Sequence, residues 1–191
     1  MAFKPNKWML IAFGAALGLS ALTAGTLVAI NAYDKQQPVT QYAGFALDMS
    51  KDEVLYENGE PQYVFQKESD GLWSSKDITE LPTKKDVKSY NFWAYGEDNS
   101  KIIILRFTNE TQKVIFIRCI TRNFHSTKIC PDIKGIAAGD TEKKVKDTFG
   151  KPSEEKIADG VKSVIYKKQG VIFRLHKKKV NSVSIGIEPT S

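Results

Sequence analysis

Hydrophobic and polar positions follow three different patterns along this chain. Residues 8–33 contain no charged side chain, and 26 positions at about 1.5 Å rise each exceed a hydrocarbon core of roughly 30 Å. Lys4 and Lys7 precede the run, and Trp8 and Tyr33 stand at its two ends as interfacial aromatics do. The run predicts a retained transmembrane anchor over residues 1–33, with the N-terminus cytoplasmic and the rest of the chain outside. A cleaved signal peptide is the rival reading; its apolar region would be shorter, and the small-x-small sites near Ala21 and Ala24 are poor. Gly14 and Gly18, followed by Ala21, Gly25 and Ala29, set small residues four apart, a spacing that lets a second transmembrane helix approach closely.

The second pattern is an internal repeat. After a polar linker over residues 34–43, Gly44-x5-Ser50-x3-Val54-x4-Gly59-x-Pro61 recurs at a constant offset of 91 as Gly135-x5-Thr141-x3-Val145-x4-Gly150-x-Pro152. Ser50 and Thr141 are of the N-cap type, and Ser50-x-x-Glu53 is a capping box. A helix of about two turns follows each. Gly59 and Gly150 suit the position just past its end, and Pro61 and Pro152 prevent its continuation. The third pattern is β alternation downstream of each helix, at residues 90–96, 101–108 and 113–120 and again at 161–167, 171–176 and 180–187. The predicted fold class is therefore α+β: a transmembrane helix, then two tandem repeats, each a helix plus a three-stranded antiparallel sheet. Residues 44–132 form repeat 1, with a polar insertion at 66–88, and residues 133–191 form repeat 2.

Composition narrows the chemistry. The chain has 28 Lys+Arg, 22 Asp+Glu, two Cys and two His, too few thiols and imidazoles for a cysteine-rich scaffold or a recognisable zinc motif. His125 and His176 have no nucleophile or orienting acid at a known spacing, and no hydrolase, metalloprotease or phosphate-loop motif is present. No catalytic residue, cofactor or metal is expected, and the protein reads as a non-enzyme. Cys119 and Cys130 would pair if the domain lies in an oxidising compartment, closing a short loop worth about 3 kcal/mol in the chain-entropy model. Residues 34–132 carry 13 basic and 15 acidic side chains, and residues 133–191 carry 13 and 7. The excess includes the turn Lys177-Lys178-Lys179, a candidate contact for an acidic protein face or anionic lipid headgroups, with solubilisation of a sheet turn as the plainer alternative. Nucleic acid is not expected, because the lysines lack interleaved aromatics. Trp73, in the polar insertion, either plugs a local core or anchors a partner.

The repeated Gly–Ser/Thr–Val–Gly–Pro pattern, the aromatic strand around Trp93 and Tyr95, and the strand containing Leu105-Arg106-Phe107 together resemble the BamE/SmpA-like modules of bacterial envelopes. In tandem form they are similar to the β-lactamase inhibitor protein. The resemblance implies a binding module without catalysis. Joined to the anchor, it gives an expected single-pass protein of the bacterial inner membrane with a periplasmic C-terminal domain. Its expected role is that of an accessory or scaffolding subunit of an envelope membrane complex. Integral membrane proteins would meet its helix, and a periplasmic protein domain would meet its soluble part. The alternative is an anchored inhibitor or binding protein for a periplasmic or cell-wall enzyme.

Overall fold

A computed structural model of the chain describes residues 37–67, 73–77, 79, 81, 84–96, 101–121 and 130–186. A two-residue hairpin, β1 (Gln41–Tyr42) and β2 (Phe45–Ala46), leads into helix α1 (Lys51–Asn58). The helix starts where the Ser50 side chain accepts from the Glu53 N–H and the Glu53 carboxylate accepts in return from the Ser50 N–H at 2.7 Å. It stops at Gly59, whose φ of 74° an L side chain adopts only with strain, and whose N–H donates to the Leu55 carbonyl at 3.0 Å. Helix α2 (Glu142–Phe149) repeats the device with Thr141 as N-cap and Gly150 as its stop. Val54, Val145 and Phe149 are the buried apolar positions of the two helices.

The remaining strands form one sheet. They are β3 (Tyr63–Lys67), β4 (Trp73–Asp77), β5 (Phe92–Tyr95), β6 (Lys101–Phe107), β7 (Val114–Thr121), β8 (Glu154–Ala158), β9 (Val161–Tyr166), β10 (Val171–His176) and β11 (Lys179–Gly186). Their order is β4-β3-β5-β6-β7-β11-β10-β9-β8, antiparallel throughout. This overturns the expected two repeats of a helix plus three strands. The chain is mostly β, and a nine-stranded sheet replaces two small ones because the last strands of the two halves, β7 and β11, pair with each other. Each helix is followed by four meander strands, and β4 is an addition from the insertion at 66–88. A 3-10 helix at Lys84–Ser89 follows in the same stretch.

Equivalent hydrogen bonds relate the halves. The Val114 N–H donates to the Met49 carbonyl and the Val180 N–H to the Asp140 carbonyl, both at 2.8 Å. The Tyr95 hydroxyl donates to the Gly59 carbonyl at 3.0 Å, and that of Tyr166 to the Gly150 carbonyl at 3.1 Å. Strand β6 has a register shift at Arg106/Phe107 and β10 one at Arg174/Leu175. Those shifts place Val114 and Val180 in equivalent positions, so Arg118 and its cross-strand partner Ser184 also occupy equivalent positions. A pseudo-two-fold axis therefore passes through the Arg118–Ser184 pair.

Residues from Pro38 onward make one compact unit. Its core lies on the helix side of the sheet, where Trp93, Leu105, Phe107, Ile117, Tyr166, Phe173, Leu175 and Ile185 are buried with Val54 and Val145. Phe149 packs edge-on against Phe173 at 5.0 Å. The expected inner-membrane placement, with cytoplasmic N-terminus and periplasmic domain, is corrected as well. Among the described residues no helix is long and apolar enough to cross a membrane. The apolar run at 8–33, with Gly14 and Gly18, lies outside the described residues.

Candidate binding surface

Strand alternation sends every second side chain away from the helices, and these residues form the second face of the sheet. Cross-strand registers line them up in ladders. One runs Phe65, Phe92, Arg106, Phe116; a second runs Tyr63, Ala94, Ile104, Arg118, Ser184, Ile172, Ile165; a third runs Ile102, Ile120, Ser182, Arg174, Ser163. Ala94, Phe116, Ile172, Ser182 and Ser184 are buried, while Phe65, Phe92, Ile104, Arg106, Arg118, Ile165 and Arg174 are half-buried. Two guanidinium groups lie over rings of the same face: Arg106 over Phe92 at 5.6 Å and Arg118 over Phe116 at 4.9 Å. Arg118 Nε also donates to Ser184 Oγ at 3.3 Å. In the ladders each arginine stands beside uncharged residues: Phe92 and Phe116, Ile104 and Ser184, Ser163 and Ser182. The acidic residues of this face, Asp77 and Glu154, sit on the edge strands. The centre of the face is aromatic and cationic, with two of its arginines lying over rings.

The opposite face carries its charges differently in the two halves. In the second half Lys146 bridges Glu142 and Glu155 at 2.7 Å each, and Lys162 bridges the same two at 2.7 and 2.8 Å. The lysine hydrogen bonds hold both carboxyls below the usual range. These groups are compensated charges tying α2 to β8 and β9, which suits structure better than acid–base chemistry. In the first half the position of Glu142 is taken by Lys51, 4% exposed. Its ammonium donates to the Lys88 carbonyl at 2.7 Å and Asn91 Oδ1 at 3.0 Å, and lies 5.3 Å from the Phe107 ring. Both acceptors are neutral, so burial pushes this group down from 10.5 to about 8. Between these values the unfolded chain holds the proton and the folded chain releases it, so stability should rise with pH across that window. Urea unfolding of wild type and Lys51→Met at about pH 7.5 and 10 checks this. The wild type should gain on the variant at the higher pH, and parallel changes would contradict the assignment.

The residues singled out from the sequence are placed as follows. Cys119 and Cys130 form a disulfide with Cα atoms 5.8 Å apart, between β7 and the segment that leads to α2. Trp73 is the first residue of β4, opposite Lys67. Lys177 and Lys178 form the β10–β11 turn with φ of 49° and 65°, and Lys179 opens β11. The Lys178 carbonyl accepts from the Glu142 N–H at 3.2 Å, so this turn also satisfies the start of α2. Trp73 and the lysine turn stand on strands five apart, roughly 24 Å at the usual spacing. His176 ends β10, and His125 lies outside the described residues. Among the described residues no group of three or more His, Cys, Asp or Glu could hold a metal ion. The arginine face went unread in the sequence, although the matched Leu105-Arg106-Phe107 and Phe173-Arg174-Leu175 triplets were its signal: an arginine between two core residues points outward.

No family model, curated protein or solved structure matches the chain. The structure gives a mostly β chain with one nine-stranded antiparallel sheet and a disulfide, and nothing among the described residues supports the BamE-like and membrane terms expected from the sequence.

Proposed function

We propose that this chain is a non-enzymatic protein-binding module, an accessory subunit that seats an acidic patch of a folded partner on the face of its sheet opposite α1 and α2. The observation that carries the reading is the pair of guanidinium groups over rings, Arg106 over Phe92 and Arg118 over Phe116, on a face whose carboxylates lie only on the two edge strands. Arginine and aromatic residues are the types over-represented in interface hot spots, and a stacked guanidinium loses less freedom when it meets a carboxylate. The continuous sheet below them is a rigid platform, which lowers the ordering cost of association. The disulfide suits an oxidising compartment.

The test is affinity capture from the source cells with the tagged full chain, as wild type and as Arg106→Glu, over a series of salt concentrations. An acidic protein should co-purify at near one-to-one ratio with wild type, fade as salt rises, and fall at least about tenfold with the charge reversal. Equal capture by both forms would remove the arginine face from the reading. If the captured partner is an enzyme that loses activity when bound, the accessory role becomes an inhibitory one.

A further inference from the structure

Outer edges of the two halves are equivalent but differently occupied. Strand β3 and strand β8 correspond residue for residue, Tyr63–Lys67 to Glu154–Ala158, at the same offset of 91 as the helices before them. The outer edge of β3 is covered by β4, which pairs antiparallel with all five of its residues, from Tyr63 opposite Asp77 to Lys67 opposite Trp73. Among the described residues the outer edge of β8 is the end of the sheet. The second half has no counterpart of the insertion that supplies β4. The fold thus shows, in its own first half, that an edge of this geometry accepts an added antiparallel strand.

We propose that β8 is a strand-addition site, taking an extended segment of a partner protein antiparallel to Glu154–Ala158 in the place that β4 fills on the other side. This goes beyond the arginine face and uses a different surface. Two local features favour such an occupant. Ile157 is 78% exposed in the middle of a charged strand, a position where a cross-strand aromatic or β-branched residue would bury it. A shallow groove of about 700 Å3 adjoins the start of β8, lined by Lys146, Asp147, Lys151, Pro152 and Glu154, and would hold the end of the incoming segment. Main-chain pairing would give the affinity, and the residue opposite Ile157 the selectivity.

A second copy of the chain is the poorer occupant. Pairing β8 with itself about a two-fold axis normal to the sheet sets Lys156 opposite Lys156 in the register that keeps all five pairs, while the two registers that keep three set Glu155 opposite Glu155 or Ile157 opposite Ile157. Like charges directly opposite are destabilising, a common way for edge strands to avoid their own kind. The partner segment expected here alternates, with an aromatic or β-branched residue facing Ile157 and an acidic or polar one facing Lys156.

The experiment selects linear decapeptides from a display library on the full wild-type chain and follows amide exchange with the enriched peptides bound. Enriched peptides should show the alternating pattern and slow exchange at residues 154–158. Ile157→Lys should weaken them at least tenfold with an unchanged melting temperature, while Arg106→Glu should leave them unaffected. A failure of the arginine face therefore leaves this site intact, and the reverse also holds. Selection that yields no binder, or binders that protect other elements and not β8, would overturn the proposal. So would concentration-dependent dimerisation in sedimentation that Ile157→Lys abolishes, which would give the edge to a second copy.

Discussion

Replacing Trp93 with alanine should destabilise the protein by about 3–5 kcal/mol, the usual cost of emptying a buried aromatic site. Trp93 is fully buried, packs 4.5 Å from the Phe107 ring, and donates its indole N–H to both the Val87 carbonyl at 3.1 Å and the Tyr90 carbonyl at 3.0 Å. The loss therefore has two parts, the cavity and two carbonyls left without their donor. Such a change is a large fraction of the roughly 5–15 kcal/mol that holds a domain folded. Trp93→Phe separates the parts: it fills most of the volume, and should cost about 1–3 kcal/mol through the orphaned acceptors. Urea unfolding of both variants checks the order. A Trp93→Phe loss as large as that of Trp93→Ala would place the weight on the hydrogen bonds instead of the packing. A Trp93→Ala loss under about 1 kcal/mol would contradict this account of the core.

Removing the disulfide, as Cys119→Ala with Cys130→Ala, should lower stability by about 3 kcal/mol in the chain-entropy model. For a domain of this size that is a fall of roughly 6–12 °C in melting temperature. Both cysteines are buried, so alanine keeps the site apolar and the change reports mainly on the lost cross-link. Calorimetry with and without reductant makes the test specific. Reductant should shift the wild type towards the variant and leave the variant where it was. Two reactive thiols per wild-type chain in denaturant without reductant would contradict the bond itself.

Sequence reading reached the helices because their signals are local. Ser50 with Glu53, Thr141, and the glycines at 59 and 150 state where each helix begins and ends without reference to anything distant. The inner strands were legible for the same reason: Ile103, Leu105 and Phe107 alternate with residues of the second face. Strands β3 and β8 were missed. Glu154-Glu155-Lys156-Ile157-Ala158 has neither alternation nor β propensity, because an edge strand is held by its one neighbour and keeps charge outward. Tyr63-Val64-Phe65 was absorbed into the approach to the insertion. The fusion of the halves was not legible either. Pairing of β7 with β11 depends on residues 62–70 positions apart in the chain, and no local pattern encodes which edge meets which.

Candidate function divided along the same line. The cysteine pair was expected from an oxidising compartment and the short linker that the two thiols bracket. The arginine face did not, since Arg106, Arg118 and Arg174 become one surface only when β6, β7, β11 and β10 lie side by side. Trp73 and the lysine turn each looked like an anchor in the sequence. The fold separates them, and gives the Lys178 carbonyl a part in capping α2.

Site-specific photo-crosslinking is the most direct measurement of the docking face. A photoreactive residue replaces Ile104, central on the face opposite α1 and α2, or Tyr56, 92% exposed on α1. In the source cells the probe at position 104 should give one dominant adduct with an acidic protein, lost when Arg106→Glu is added, and the probe at 56 should give none. Adducts at 56 and none at 104 would put the partner on the helix side and end the case for the arginine face.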